Sequence, residues 1–239
     1  MGGLPVHEQI SAHNTTIGGG FHMEETENRN MLLYWDDENL DPSTTEVFQK
    51  WKSVCTSWNI KVFSRESARS FLNKEYGADI ETAFLSCAVP AMRSDFFRVF
   101  WALAKGGIYS DFTFAPKCEP LFFDESKNLT LVKWPHGRIV NGIFFAKKDC
   151  DELKVVAFEI LKAISCRTDN NIWSVTGPGA WIRALGGERT DSIEIIGRSD
   201  LFKEFLEASN YNGSTRNTEN HWSKLQVNKS IYNVKKVTD

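Results

Sequence analysis

A chain of 239 residues with a net charge of −3, 41% hydrophobic and 25% charged residues can bury a core of its own, and it lacks the positive charge that nucleic-acid binding needs. Seventeen Phe and eight Trp argue against disorder, and no apolar run approaches the ~20 residues of a membrane-spanning helix. The five cysteines (Cys55, Cys87, Cys118, Cys150 and Cys166) are odd in number and have no C-x-x-C spacing, which argues against a disulfide framework or a zinc site and predicts small buried thiols.

Residues 1–30 are polar and Gly-rich with no period, and read as an irregular arm holding His7, His13 and His22. The run 31–35 is a buried strand, stopped by Asp36-Asp37-Glu38-Asn39, which reads as a solvated loop. Val47, Trp51, Val54 and Trp58 recur at helical spacing after Pro42-Ser43-Thr44, and 60–63 is a second strand. Ser64 caps a helix that runs to Tyr76 and stops at Gly77. An apolar helix over 93–105 ends at Gly106-Gly107 and leads into a strand over 108–114. Strands over 129–134 and 139–146 flank Pro135-His136-Gly137, and 149–166 is a long amphipathic helix. Gly177-Pro178-Gly179 starts a helix, 193–196 is a strand, 200–208 a short helix and 209–220 a polar loop. Alternating strands and helices imply an α/β domain with a mainly parallel sheet.

One stretch carries the chemistry. Asp95 and Arg98 lie three apart on an apolar helix and so share a face. Gly106-Gly107 then permits a tight turn with positive φ. Asp111 follows Ile108-Tyr109 at the carboxyl end of a buried strand, the edge of an open α/β sheet where ligands bind. Taken singly, Asp95 could be an acid complementing a helix N-terminus, with Arg98 its surface partner, and Asp111 a turn residue. The combination S-D-x-x-R, G-G-I-Y and D-F-T is far more specific than its parts. A polymer hydrolase would need two carboxylates flanking the bond, and the candidates, Asp36-Asp37 and Asp149/Asp151, read as solvated loops.

Ser94, Asp95, Arg98, Gly106, Gly107, Ile108, Tyr109 and Asp111 resemble the DXD sugar-binding region of glycosyltransferase family 32, closest in style to the capsular-polysaccharide synthesis proteins. Weaker likenesses run over 31–222: Leu33-Tyr34-Trp35 to the first strand, Asn141-Gly142 to an N-G element, Thr176-Gly177-Pro178 to a T-G-P element and His221-Trp222 to a C-terminal H-W element. The resemblance implies a GT-A-type fold over 31–239, a single Rossmann-like domain. It implies transfer of a sugar from a UDP- or GDP-sugar to a glycan, polysaccharide or glycolipid acceptor with retention of configuration; no catalytic nucleophile stands out in the sequence, so front-face attack by the acceptor is the expectation.

By the same resemblance Asp95 and Arg98 bind sugar hydroxyls, Trp35 stacks on the base, and Tyr109 and Asn141 line the pocket. Asp111, Thr113 and His221 hold Mn²⁺ or Mg²⁺, Lys224 adds charge, and Trp222 closes over the diphosphate. The second acid of the D-x-D motif is Thr113 here, a hydroxyl without charge, which weakens metal affinity and leaves metal-independence open. It also leaves open a degenerate protein that binds nucleotide or glycan without transfer, or a scaffold in glycan assembly. The N-terminus MGGLPVHEQI has no signal-peptide core, so the expectation is a cytoplasmic enzyme without a transmembrane segment, with room for peripheral membrane contact.

Overall fold

The computed structural model describes residues 29–120, 123–167, 169–186, 191–209 and 222–233. β1 (Asn30–Tyr34), α1 (Pro42–Val54), β2 (Asn59–Phe63), α2 (Arg65–Tyr76), α3 (Ala78–Ser86) and α4 (Pro90–Lys105) form the first half. There follow β3 (Gly107–Ser110), β4 (Phe114–Pro116), β5 (Leu129–Lys133), β6 (Ile139–Ala146) and α5 (Asp151–Cys166). α6 (Ile172–Val175), α7 (Pro178–Leu185), β7 (Ile193–Gly197), α8 (Arg198–Glu204), β8 (Leu206–Ala208) and α9 (Trp222–Asn228) complete the order. Among the described residues no helix is long and apolar enough to cross a membrane.

The main sheet has the order β2-β1-β3-β6-β5-β7, and β4 and β8 form a separate antiparallel ribbon. β6 alone runs antiparallel to its neighbours, so five of the six strands point the same way. Their carboxyl ends share one edge, and β6 starts from that edge. The mainly parallel α/β architecture expected from strand–helix alternation is therefore present.

Alternation along the strands divides the core. Leu32, Tyr34, Tyr109 and Phe144 face a cluster with α2 to α7, whereas Met31, Leu33, Ile108 and Phe145 face a second cluster with α1, α8 and the β4–β8 ribbon. The aromatic richness is spent there: Phe63, Phe71, Phe84 and Phe97 make ring contacts with one another between β2 and α2 to α4.

Local chemistry fixes the ends. Asp41 Oδ1 accepts from the Thr44 N–H at 2.9 Å and Pro42 opens α1, while Ser64 and Ser67 exchange hydrogen bonds at the start of α2. Gly107 has φ +110°, and a Cβ there would stand 2.0 Å from the Asn30 carbonyl oxygen. Only glycine lets α4 turn into β3 so close to β1.

Several elements differ from the sequence reading. The strand expected over 108–114 breaks at Asp111, whose N–H donates to the Gly142 carbonyl at 2.7 Å, and the chain then leaves the sheet to form β4. Phe112 and Phe114 follow at strand spacing after the break, so the pattern does not register it. The expected helix 200–208 ends at Glu204, and Leu206–Ala208 pairs with β4. α1 stops at Val54, although Trp58 still reaches the core, and α3 and α6 were not anticipated. Asp149 has φ +60° and precedes α5, which starts at Asp151. Cys55, Cys87 and Cys150 are buried as expected, whereas Cys118 and Cys166 are exposed. The expected arm lies outside the described residues except Arg29 and Asn30, the latter already in β1.

Candidate active site

α4 is buried from Met92 to Ala102, polar residues included. A helix enclosed all round, with Arg93, Ser94, Asp95 and Arg98 inside it, must satisfy each of those groups internally. Arg98 does so by using its whole guanidinium. Nη1 donates to the Asn141 carbonyl at 2.6 Å, Nε to the Ser94 carbonyl at 3.1 Å, and Nη2 to Ser94 Oγ at 2.9 Å. Nη2 also stands 3.1 Å from Asp95 Oδ1 and 3.3 Å from Asp111 Oδ1, and the guanidinium lies 4.2 Å from the Tyr109 ring centroid. Burial works to lower the Arg98 pKa, but Tyr109, Asp111 and Asp95 together hold it above its ordinary value.

Asp95 is the most enclosed carboxylate of the cluster. Oδ1 accepts from Asn141 Nδ2 at 2.9 Å and Oδ2 from Thr176 Oγ1 at 3.3 Å. Burial, joined by the nearby Asp111 charge, outweighs Arg98, Asn141 and Thr176 and pushes its carboxyl from 3.8 up to about 6. A group whose pKa rises on folding contributes stability that is complete below its unfolded value and is lost as pH climbs through the folded value. Urea unfolding between about pH 4 and pH 7 is therefore expected to show wild-type stability sloping downward through pH 6 relative to Asp95→Asn, with the two curves parallel above that. Parallel curves over the whole range would place Asp95 in a solvated site.

Asp111 stands where β3 ends. Tyr109 Oη donates to Asp111 Oδ1 at 2.5 Å and lies 2.9 Å from Ser94 Oγ, and burial raises the Tyr109 pKa well above its usual value. A Cβ on Gly142 would come 2.4 Å from Asp111 Oδ2, so the glycine of the N-G element leaves room for that carboxylate. The Asp111 side chain is 36% exposed, and among the described residues Oδ2 accepts no hydrogen bond. The structure thus brings Asp95, Arg98, Tyr109, Asp111 and Asn141 together at the carboxyl edge of the sheet.

The D-F-T turn extends this edge. Phe112 is buried against Trp35, edge-to-face at 5.8 Å, which joins the end of β1 to the turn. Thr113 is exposed, and its carbonyl accepts from the Ser209 N–H at 3.1 Å while Ser209 Oγ donates to the Phe112 carbonyl at 2.6 Å. Ser209 therefore clamps the turn, a role with no signal in the sequence. Lys224 lies on α9, His221 lies outside the described residues, and Trp222 is described only through its place at the start of α9. Among the described residues no cluster of three His, Cys, Asp or Glu could hold a metal. What the turn offers is one half-exposed carboxylate and one hydroxyl, a donor set that fits a hard cation carried mainly by a ligand's own phosphate oxygens.

One neighbouring pair escaped the sequence reading. Asp36, expected in a solvated loop, receives Arg93 Nε and Nη2 on its two oxygens at 2.7 Å each, and Tyr34 Oη at 2.7 Å. Burial opposes the Asp36 charge, but the Arg93 fork and its charge win and hold the carboxyl below the usual range. This fork fixes the loop after β1 to the start of α4. The signal was Arg93 itself, two residues before Asp95 inside an otherwise apolar helix face. Thr176, named only as part of a T-G-P element, is fully buried against Asp95.

Residues 42–126 match the family model described as a glycosyltransferase sugar-binding region containing a DXD motif. That span includes Asp95, Arg98, Tyr109, Asp111 and Thr113, and leaves Trp35, Asn141 and Thr176 outside. The initiation-specific alpha-1,6-mannosyltransferase of Schizosaccharomyces pombe is 32% identical over 91 residues, which are 35% of this chain and 23% of that protein. The match thus spans about a quarter of that curated relative. Among solved structures, the PaToxG glycosyltransferase superposes with a TM-score of 0.52 over 66% of this chain and 68% of its own, at 14% identity. The chain shares that protein's fold.

Proposed function

We propose that this chain, which carries the DXD-containing sugar-binding region of the glycosyltransferases and shares a glycosyltransferase's fold, transfers a sugar from a nucleoside diphosphate donor to a glycan, polysaccharide or glycolipid acceptor. The observation that carries the reading is the Asp95–Arg98–Asp111 cluster at the carboxyl edge of the sheet, its first two members buried and Asp111 half-exposed, inside the matched span.

In this reading Asp95, held by Asn141 and Thr176, presents its remaining lone pairs to hydroxyls of the donor sugar. Arg98 is enclosed and acts mainly through its neighbours, fixing both carboxylates and offsetting their mutual repulsion. Tyr109 orients Asp111 by its hydroxyl. Asp111 Oδ2 and the Thr113 hydroxyl would hold Mg²⁺ or Mn²⁺, which when bound neutralises charge on the departing diphosphate. Trp35, packed on Phe112, supplies an aromatic face for the base, where uridine or guanosine diphosphate sugars are the donors to try. Retention of configuration with front-face attack by the acceptor is the course that the likeness of Ser94 to Asp111 to the family 32 sugar-binding region supports.

Thr113 favours a second reading, a nucleotide-binding protein without transfer. A panel of UDP- and GDP-sugars, with and without Mn²⁺, separates the two. A donor at 100 times its Kd adds about 2.7 kcal/mol, which in a chain of this size raises the unfolding midpoint by about 5–10 °C. The expected result is one donor that stabilises the protein and releases its nucleoside diphosphate. Stabilisation without release supports the second reading, and neither effect with a folded protein overturns both.

A further inference from the structure

The β5–β6 hairpin carries an exposed aromatic and cationic group that the donor site does not use. Its turn reads Lys133-Trp134-Pro135-His136-Gly137-Arg138, closed by the Trp134 N–H donating to the Arg138 carbonyl at 2.8 Å. Trp134 is 38% exposed, an uncommon position for an indole, and His136 stacks with it at 6.0 Å and 18°. Beneath it sits Arg198, the first residue after β7. Its guanidinium lies 4.3 Å from the Trp134 ring centroid and 3.9 Å from that of Phe202.

That guanidinium is unusual in its lack of acid partners. Among the described residues Arg198 forms no ion pair, and its Nε is buried without a hydrogen bond. Burial alone lowers its pKa, with no acid to offset it. With the Trp134 and Phe202 rings both close to its central carbon, the Arg198 guanidinium is a partly desolvated cation without a counter-charge, a group that pairs with a carboxylate. His136, stacked on Trp134, and Lys133 and Arg138 of the same hairpin are half-buried or exposed, and none of them is in an ion pair among the described residues. The one acid near in sequence, Asp200, has its carboxylate against Gly197.

The location puts this group on the same edge of the sheet as Asp111. β5 and β7 end on the edge where β3 ends, and β6 leads from Arg138 back to Asn141 and Gly142 beside Asp111. Gly142 lies four positions along β6 from Arg138, about 13 Å, and β7, which leads into Arg198, lies three strands across from β3, about 14 Å, so Arg198 and Asp111 are about 20 Å apart. A short oligosaccharide spans that distance. We propose that Trp134 and Arg198 form an acceptor subsite for an acidic sugar, with the pyranose stacked on the exposed indole face and its carboxylate paired with the Arg198 fork. The proposal rests on the transferase reading for its place in a reaction, and on the hairpin's own chemistry for binding.

The test uses the full chain with a uronate-containing tetrasaccharide and its carboxyl-reduced counterpart, titrated by calorimetry. Trp134→Ala and Arg198→Gln are each expected to weaken binding of the acidic form about ten-fold or more, and Trp134→Phe to retain most of it. The carboxyl-reduced form is expected to bind wild type about ten-fold more weakly. The donor-induced rise in unfolding midpoint, measured on each variant, is expected to stay at its wild-type size and certifies that the variants fold. Equal affinity for the two tetrasaccharides, wild-type affinity in Trp134→Ala, or full displacement by an equal concentration of inorganic phosphate overturns the proposal. Tetrasaccharide binding of the expected pattern without any donor turnover keeps the subsite and overturns the transferase reading instead.

Discussion

Sugar transfer by the Asp111→Asn variant is expected to fall about 10³-fold in kcat with little change in folding. Asn keeps an oxygen for the Tyr109 hydroxyl and leaves untouched the backbone bond from residue 111 to the Gly142 carbonyl, and the side chain is already 36% exposed. Stability should therefore move by less than about 1 kcal/mol. What Asn removes is the single negative charge that the D-F-T turn presents, with Thr113 unable to supply another. A companion variant, Gly142→Ala, keeps that charge but puts a Cβ 2.4 Å from Oδ2, so it should displace the carboxylate and lose activity as well. The measurement is release of nucleoside diphosphate under saturating donor, beside thermal unfolding. A wild-type rate in Asp111→Asn would remove this residue from the chemistry.

The largest effect on stability is expected from Arg98→Met. Arg98 is 4% exposed, and its guanidinium holds Asp95 and Asp111 while satisfying the Ser94 and Asn141 carbonyls. Removing it leaves Asp95 buried, charged and without its cation, a change that costs about 3–5 kcal/mol. The cost has a pH signature. Asp95 already titrates at about 6, and without Arg98 its carboxyl rises further, so protonation relieves the penalty on the acid side. Denaturant unfolding should therefore show a larger loss near pH 7 than near pH 5, and Asp95→Asn added to Arg98→Met should recover part of it. A loss independent of pH and additive in the double variant would mean that Arg98 serves only as packing.

Much of this was legible in the chain itself. Strand–helix alternation predicted a mainly parallel sheet, and the run from Ser94 to Asp111 pointed to a glycosyltransferase sugar-binding region; the sheet order and the match over residues 42–126 agree with both. Asp95 and Arg98 were expected on one helix face, and their charged atoms stand 3.1 Å apart. Those features are local: helical spacing and a turn between two glycines need only neighbours in sequence to be recognised.

Tertiary contacts decided what local pattern could not. Asp36 read as one acid in a polar run, and only the fold places the Arg93 fork, 57 residues away, on its two oxygens. Phe112 and Phe114 keep strand spacing beyond Ile108, yet the chain parts from β6 after the Asp111 N–H bond to the Gly142 carbonyl, and Ser209 ties the following turn toward β8. Thr176 closes on Asp95 from 81 residues along the chain, and the carboxyl at about 6 follows from that enclosure. The sequence by itself determined which residue types the site contains and which strands carry them, because periodicity and turn chemistry act over a few residues. Burial, ion pairing and the height of a pKa depend on which distant groups share a low-dielectric space, and that was settled only when the sheet brought β1, β3 and β6 edge to edge.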